Sequence, residues 1–224
     1  MNKSISTIQA DFDRIALLAN DGWDHNVHYH SFLLEHVPAH CQEALEIGCG
    51  TGSFSRLLAT RSNRVLALDL SPQMIRIAKE RSTQFPNIDF QVADVTSCDM
   101  PSEQFDCIVT VATLHHLPMT HMLLKIKNSL RVNGVLLILD LFKGEGLSDV
   151  ITNALAAPVS VGLKLIRTRQ LISSREVREA WREHGRHDVY LRLAQVRNTC
   201  AEILPDAKIR KHLLWRYSVI WKKT

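Results

Sequence analysis

Between residues 44 and 141, short runs of Val, Ile, Leu and Ala alternate with stretches in which apolar residues return every three or four positions. Apolar runs with few polar interruptions predict strands buried on both faces, and the longer period predicts helices. Their alternation predicts a doubly wound, mostly parallel sheet with helices on both faces, an α/β fold. The expected strands are 44–47, 64–69, 88–93, 105–111 and 135–141. A helix is expected at about 52–59. Ser71-Pro72 opens the next one, since proline suits a first helical turn. Asn133-Gly134 reads as the turn that introduces the fifth strand.

After the fifth strand the pattern changes. Residues 148–167 are weakly amphipathic and broken by Pro158 and Gly162, and charged helices follow near 174–184 and 189–203. The end, 207–222, reads as two short strands, KIRKHLL and YSVIWKK, turning tightly around Trp215-Arg216. Upstream of the first strand, His30, Leu33, Leu34 and Val37 recur at i, i+3, i+4 and i+7, which puts His30 on the buried face of a helix. Tyr29 sits beside it, in line with Leu33. The whole reads as one domain over 1–224: an N-terminal helical cap (1–40), a core (41–145), a lid with helices (146–206) and terminal strands (207–224).

With 224 residues, 46% of them hydrophobic, the chain buries enough surface to need no disulfide or metal staple. The five cysteines, at 41, 49, 98, 107 and 200, form no CxxC pair and read as free thiols in a reducing compartment. The N-terminus lacks the pattern of a secretory signal, and no apolar run is long enough to span a bilayer. A cytoplasmic, soluble protein is expected. Charge is uneven: residues 164–224 hold 15 Lys and Arg against 6 Asp and Glu, although the formal net charge of the chain is only +4. Such a basic quarter suits an anionic partner, or simply solvates helix faces. Interleaved glutamates, as in SSREVREAWREHGR, favour the latter.

Chemistry concentrates at the strand ends. Glu46-Ile47-Gly48-Cys49-Gly50-Thr51-Gly52 closes the first strand and opens a helix, and glycines there let backbone approach a ligand closely. A dinucleotide site needs GxGxxG, whereas Ser53 occupies the position of that motif's third glycine. The Gly-Lys-Ser/Thr ending of a phosphate-binding P-loop is missing too. Asp69 ends the second strand, where a carboxylate accepts from a ribose diol, and Leu70 follows it. Met74, one turn into the next helix, is placed to cover an adenine. Asp94 follows the third strand in Ala93-Asp94-Val95, placed to accept from an adenine amino group. One acid at a strand end is as readily a helix cap; three successive strands ending in suitable chemistry are a pattern.

These segments resemble the class I S-adenosylmethionine-dependent methyltransferases, in their small-molecule branch. EIGCGTG is similar to that family's first motif, LALDLS to its second-strand acid and ADV to its adenine-side acid. FDCIVTVATLHHL and SLRVNGVLLILDL resemble its fourth- and fifth-strand segments. The resemblance covers roughly residues 44–141. It implies a Rossmann-like, seven-stranded sheet whose last strand is antiparallel, an acceptor-side helical insertion, and S-adenosyl-L-methionine as cofactor. It further implies that Gly48, Cys49, Gly50 and Gly52 bind the cofactor, that Glu46 helps hold its methionine end, and that Val95 and Val111 lie near the adenine and the sulfonium.

A sulfonium already activates its methyl group, so the protein chiefly aligns an acceptor, and a base is needed only where the acceptor carries a proton. His115 and His116 follow the fourth strand, at the edge where α/β sites form, and are the candidate bases. Alternatively, one caps the next helix and the other packs on it. Tyr29 and His30 line the transfer pocket or belong to the core. Asp140, ending the fifth strand, binds an acceptor amine or hydroxyl or caps its loop. Five histidines fall between His25 and His40, but no cysteine or carboxylate completes a regular ligand set, and no metal is expected. The apolar-then-basic run ALAAPVSVGLKLIRTR suits a lid over an apolar acceptor better than a membrane contact. Methyl transfer to O, N or S of a small molecule is the expected function. The alternatives are an RNA methyltransferase, disfavoured by the lack of an RNA-binding module and of an Asn/Asp-Pro-Pro-Tyr run, and a non-catalytic cofactor-binding protein. Oligomeric state is not legible.

Overall fold

The computed structural model describes residues 5–18, 26–144, 175–186 and 188–224. The expected lid at 148–167, with Pro158 and Gly162, lies outside them, as do Trp23, Asp24 and His25. The described chain forms one seven-stranded sheet in the order β3-β2-β1-β4-β5-β7-β6. Its strands are β1 (Cys41–Ile47), β2 (Ser62–Asp69), β3 (Ile88–Val92), β4 (Phe105–Val111), β5 (Leu130–Leu141), β6 (Lys208–Lys211) and β7 (Arg216–Lys222). The helices are α1 (Ile5–Leu18), α2 (His30–Leu34), α3 (Ser53–Leu58), α4 (Pro72–Arg81), α5 (Met119–Ser129), α6 (Arg175–Gly185) and α7 (Leu193–Ile203). The first five strands pair in parallel, and β7 runs antiparallel to both β5 and β6. This is the doubly wound, mostly parallel seven-stranded sheet with an antiparallel last strand that the resemblance implies.

Both faces of the sheet are dry, because successive strand residues point opposite ways. On one face Leu45, Ile47, Ile108, Leu136 and Ile138 pack with Met122, Leu123 and Ile126 of α5 and Val196, Cys200 and Ile203 of α7. On the other, Ala44, Val65, Ala67, Val109, Leu137 and Leu139 pack with Leu33, Phe54, Leu58 and Ile75. Among the described residues no helix is long and apolar enough to cross a membrane.

Several element bounds differ from expectation for physical reasons. Asn133-Gly134 does not precede β5 but lies inside it: Asn133 takes a left-handed φ of 68° and its N–H donates to the Lys223 carbonyl, so the irregularity is absorbed rather than ending the strand. The terminal hairpin turns at Leu214 and Trp215, both with positive φ, and Arg216 already belongs to β7. The helix expected from 189 begins only at Leu193, after an extended stretch that places Asp188 and Tyr190 toward the sheet's C-terminal edge. The Gln195 side-chain oxygen accepts from Arg192 N–H at 3.0 Å and so caps that start.

Strand order reverses between β1 and β4, since the chain leaves β1 toward β2 and crosses back to β4. A crevice opens at such a point outside the carboxyl ends of the strands. Here α1 covers it: Ile15 and Ala16 pack with Met74 and Ile77 of α4 and Ala180 of α6, and Asp13 accepts from the Ser71 hydroxyl at 2.5 Å.

Candidate active site

The loop after β1 is tied to β2. The N–H groups of Gly48 and Cys49 both donate to the Leu68 carbonyl, at 2.8 and 2.9 Å, and Gly50 N–H donates to Asp69 Oδ2 at 2.8 Å. Asp69 Oδ1 accepts from Ser71 N–H at 2.8 Å. Asp69 therefore clamps the glycine loop to the start of α4, where the Ser71 hydroxyl caps Met74 N–H. Gly48 has φ +74°, and a Cβ there would stand 2.1 Å from Thr113 Oγ1, so only glycine lets the β4 loop lie across the β1 loop. Gly50 has φ +52° and nothing within 4 Å of its would-be Cβ, which leaves its backbone open to the crevice.

The crevice has a volume of about 1620 Å³. That exceeds the ~300–1,000 Å³ typical of one small-molecule site and leaves room for cofactor and acceptor side by side. Of the residues expected to hold the cofactor, Glu46, Gly48, Cys49, Gly50, Asp69, Leu70, Met74, Asp94, Val95 and Val111 line it. Gly52 does not; it sits at the N-terminus of α3 with its Cα against Phe90. Asp94 accepts from the Thr96 N–H (2.9 Å) and hydroxyl (2.6 Å). Partial burial pushes its carboxyl up, but the Thr96 and Ser97 hydrogen bonds and the Lys125 charge outweigh this and hold it below the usual range.

The strand-end acids Asp69 and Asp94, with an open glycine loop that has Ser53 where a dinucleotide motif has its third glycine, fit a nucleoside such as S-adenosylmethionine. Asp69 and Asp94, at the ends of β2 and after β3, would take the ribose and the adenine; Glu46 and the Gly50 backbone would take the methionine end.

Glu46 is buried, and its Oε2 accepts from the Ser55 hydroxyl at 2.5 Å. Burial pushes its carboxyl up to about 8, against the Ser55 bond and with a further push from Asp69. The free protein thus holds a proton on Glu46 that the unfolded chain has released above its ordinary value of 4.5. The stability this contributes is full below about pH 4.5 and is lost as pH rises through about 8. Each unit of difference corresponds to about 1.4 kcal/mol, so the loss is on the order of a few kcal/mol. Glu46→Gln is expected to flatten the fall in urea midpoint between about pH 5 and pH 8; parallel slopes for wild type and variant would show that Glu46 titrates normally.

The β4 end carries the other half of the site. Ala112 takes a left-handed φ of 50° and its N–H donates to the Leu139 carbonyl, a strained position that turns the chain over Gly48. His115 follows in a short 3-10 turn, Leu114–His116. Its Nδ1 lies 2.6 Å from Asp140 Oδ1, and its backbone N–H donates to Asp140 Oδ2 at 2.8 Å. Asp140 is fully buried, accepts from Leu141 N–H as well, and does not line the crevice. Of the two expectations for Asp140, the acceptor contact is corrected and the loop cap fits: among the described residues it bonds to Leu141 N–H and to His115, and only His115 of these lines the crevice beside it. His116 also lines the crevice, its ring centroid 3.9 Å from that of His115.

The two N-terminal candidates part company. His30 lines the crevice, 5% exposed, with its ring edge-on to Phe54. Tyr29 does not: a 3-10 turn, Val27–Tyr29, precedes α2, and the phenol donates to the Leu213 carbonyl at 3.1 Å while its ring packs on His212. Three groups escaped sequence reasoning. Asp188, Tyr190 and His184 gather beside His116, with Tyr190 donating to Asp188 Oδ2 at 3.1 Å and His184 Nε2 3.4 Å from His116 Nε2. Burial, then the Asp188 charge, pushes the Tyr190 phenol up to about 12. In sequence His184 ends one expected helix, Asp188 falls in the gap before the next and Tyr190 lies at the start of that one, so spacing gave no signal that joins them.

Residues 44–134 match the family described as methyltransferase domain. An uncharacterised methyltransferase of Mycobacterium tuberculosis is 29% identical over 203 residues, covering 89% of this chain and 96% of the relative. A ubiquinone biosynthesis O-methyltransferase of Xanthomonas axonopodis pv. citri is 32% identical over 130 residues, 52% of this chain and 54% of the relative. Among solved structures, the N-methyltransferase NodS of Bradyrhizobium japonicum, in complex with S-adenosyl-L-homocysteine, superposes with a TM-score of 0.64 at 18% identity, covering 96% of this chain and 98% of that one.

Proposed function

We infer that the chain, a class I S-adenosylmethionine-dependent methyltransferase, methylates a hydroxyl oxygen of an apolar small molecule with His115 as general base. The observation that carries this reading is the buried contact between His115 Nδ1 and Asp140. A carboxylate on Nδ1 holds the proton there and leaves Nε2 as the acceptor, facing the crevice. Bound S-adenosylmethionine supplies an electrophilic methyl group on sulfur and leaves as S-adenosylhomocysteine. As the oxygen–methyl bond forms, the acceptor's hydroxyl proton passes to His115 Nε2, and Asp140 stabilises the imidazolium that results.

The apolar character of the acceptor rests on the lining beyond the cofactor loop. Ile8, Phe12, Leu117, Leu124, Trp181 and Val189 face that part of the crevice, and Leu124, Trp181 and Val189 are exposed. Such a wall is costly to leave in water and matches an apolar ring or chain. The O-methyltransferase of ubiquinone biosynthesis among the relatives agrees with this class. Incubation with deuteromethyl-labelled S-adenosylmethionine and a panel of apolar phenols, enols, carboxylic acids and amines, read by mass spectrometry, tests it. Labelled methyl ethers from the hydroxyl members are expected. Label only on amines, or only on a tRNA control, would contradict it.

A further inference from the structure

We propose that His115, His116 and Asp188 form a binding site for a first-row transition dication of the zinc type, and that the ion, when bound, blocks methyl transfer. The three residues each offer one ligand atom, and these atoms all lie within 4.8 Å of one another. All three side chains line the crevice yet are nearly closed to solvent, at 7%, 9% and 4% exposure. The His116 Nδ1 to Asp188 Oδ1 separation of 3.7 Å is too long for a hydrogen bond. It is near the roughly 3.4 Å that separates two ligands of a tetrahedral ion with bonds of about 2.0–2.1 Å.

Two further contacts have the form of an outer coordination shell. Asp140 binds His115 Nδ1, which leaves Nε2 as the ligand atom in a carboxylate–imidazole–metal arrangement. Tyr190 donates to Asp188 Oδ2, which orients that carboxylate with Oδ1 toward His116. Two imidazoles and one carboxylate are a borderline set that selects zinc, cobalt or nickel over magnesium or calcium. His184 Nε2 lies 3.4 Å from His116 Nε2 and 3.7 Å from Asp188 Oδ2 and completes the imidazole-rich wall.

The inhibitory part of the proposal rests on His115 being the base, because one Nε2 lone pair cannot hold an ion and accept a proton. The binding part does not. Untagged, chelator-treated protein titrated with Co²⁺ is expected to develop the visible absorption of a low-coordinate nitrogen–oxygen site with one equivalent bound, displaced by Zn²⁺. Asp188→Asn and His116→Gln are each expected to weaken Zn²⁺ binding by at least about tenfold in calorimetry, and Asp140→Asn by about 10–100-fold. All should retain S-adenosylhomocysteine binding, which reports that the fold survives. No saturable Zn²⁺ binding at tens of micromolar, or affinity unchanged in both Asp188→Asn and His116→Gln, overturns the site. Variant-sensitive Zn²⁺ binding with undiminished methyl transfer keeps the site and refutes its inhibitory role, whereas the base role of His115 stands or falls on the kcat of His115→Ala.

Discussion

His115→Ala is expected to lower kcat by about 100- to 10,000-fold at saturating acceptor while S-adenosylhomocysteine affinity stays within about threefold. The range is that of a positioned general base, and the split follows from where the ring sits. His115 bonds to the β5 end through Asp140 and shares no hydrogen bond with Glu46, Asp69 or Asp94. Asp140→Asn is expected to cost a comparable factor, on the order of 1,000-fold or more. An amide can present its NH₂ to Nδ1, which shifts the ring proton to Nε2 and leaves no lone pair facing the acceptor. Because Asp140 is fully buried, this variant also needs its stability measured. A kcat unchanged in His115→Ala would mean that the acceptor loses its proton without this ring, and Asp140 would then be a structural partner only.

The second large effect concerns the cofactor. Asp69→Ala removes the acceptor for both Gly50 N–H and Ser71 N–H, each a charge-assisted bond contributing about 1.5–3 kcal/mol. Without the clamp the glycine loop and the start of α4 no longer share an anchor, and the proposed ribose contact disappears as well. S-adenosylhomocysteine affinity is expected to fall by at least about 100-fold. Asp69→Asn should be nearly as damaging, since its NH₂ group would face a backbone donor. Retention of wild-type affinity in both variants would show that neither the clamp nor the ribose contact matters.

The core was legible because parallel strands leave a plain trace. β4 needs both faces dry, so Phe105–Val111 carries an apolar run that cannot be mistaken for a helix face. The glycine loop was legible for a different reason: Gly48 tolerates no Cβ and Gly50 must expose backbone, and both demands are written in residue type. What spacing could not convey was pairing. His115 and Asp140 each stood out at a strand end, but that they bind each other follows from the register in which Val111 lies opposite Leu139. Tyr29 shares a core cluster with Leu33, as its spacing suggests, but its phenol donates to the Leu213 carbonyl of the terminal hairpin and does not line the crevice, a contact that spacing cannot convey. Asp188 falls in the gap between the helices expected at 174–184 and 189–203, and Tyr190 inside the second, where a polar residue reads as a loop or a solvated helix face. Tertiary contact with His116 and His115 gives them their place.

The central claim, a crevice built for S-adenosylmethionine, is tested most directly by calorimetric titration of the wild-type protein with S-adenosylhomocysteine, with NAD as control. Saturable binding at one site in the micromolar range, with none for NAD, is the predicted result. Absence of S-adenosylhomocysteine binding by folded protein, or binding of NAD in its place, would contradict the assignment of the glycine loop, Asp69 and Asp94.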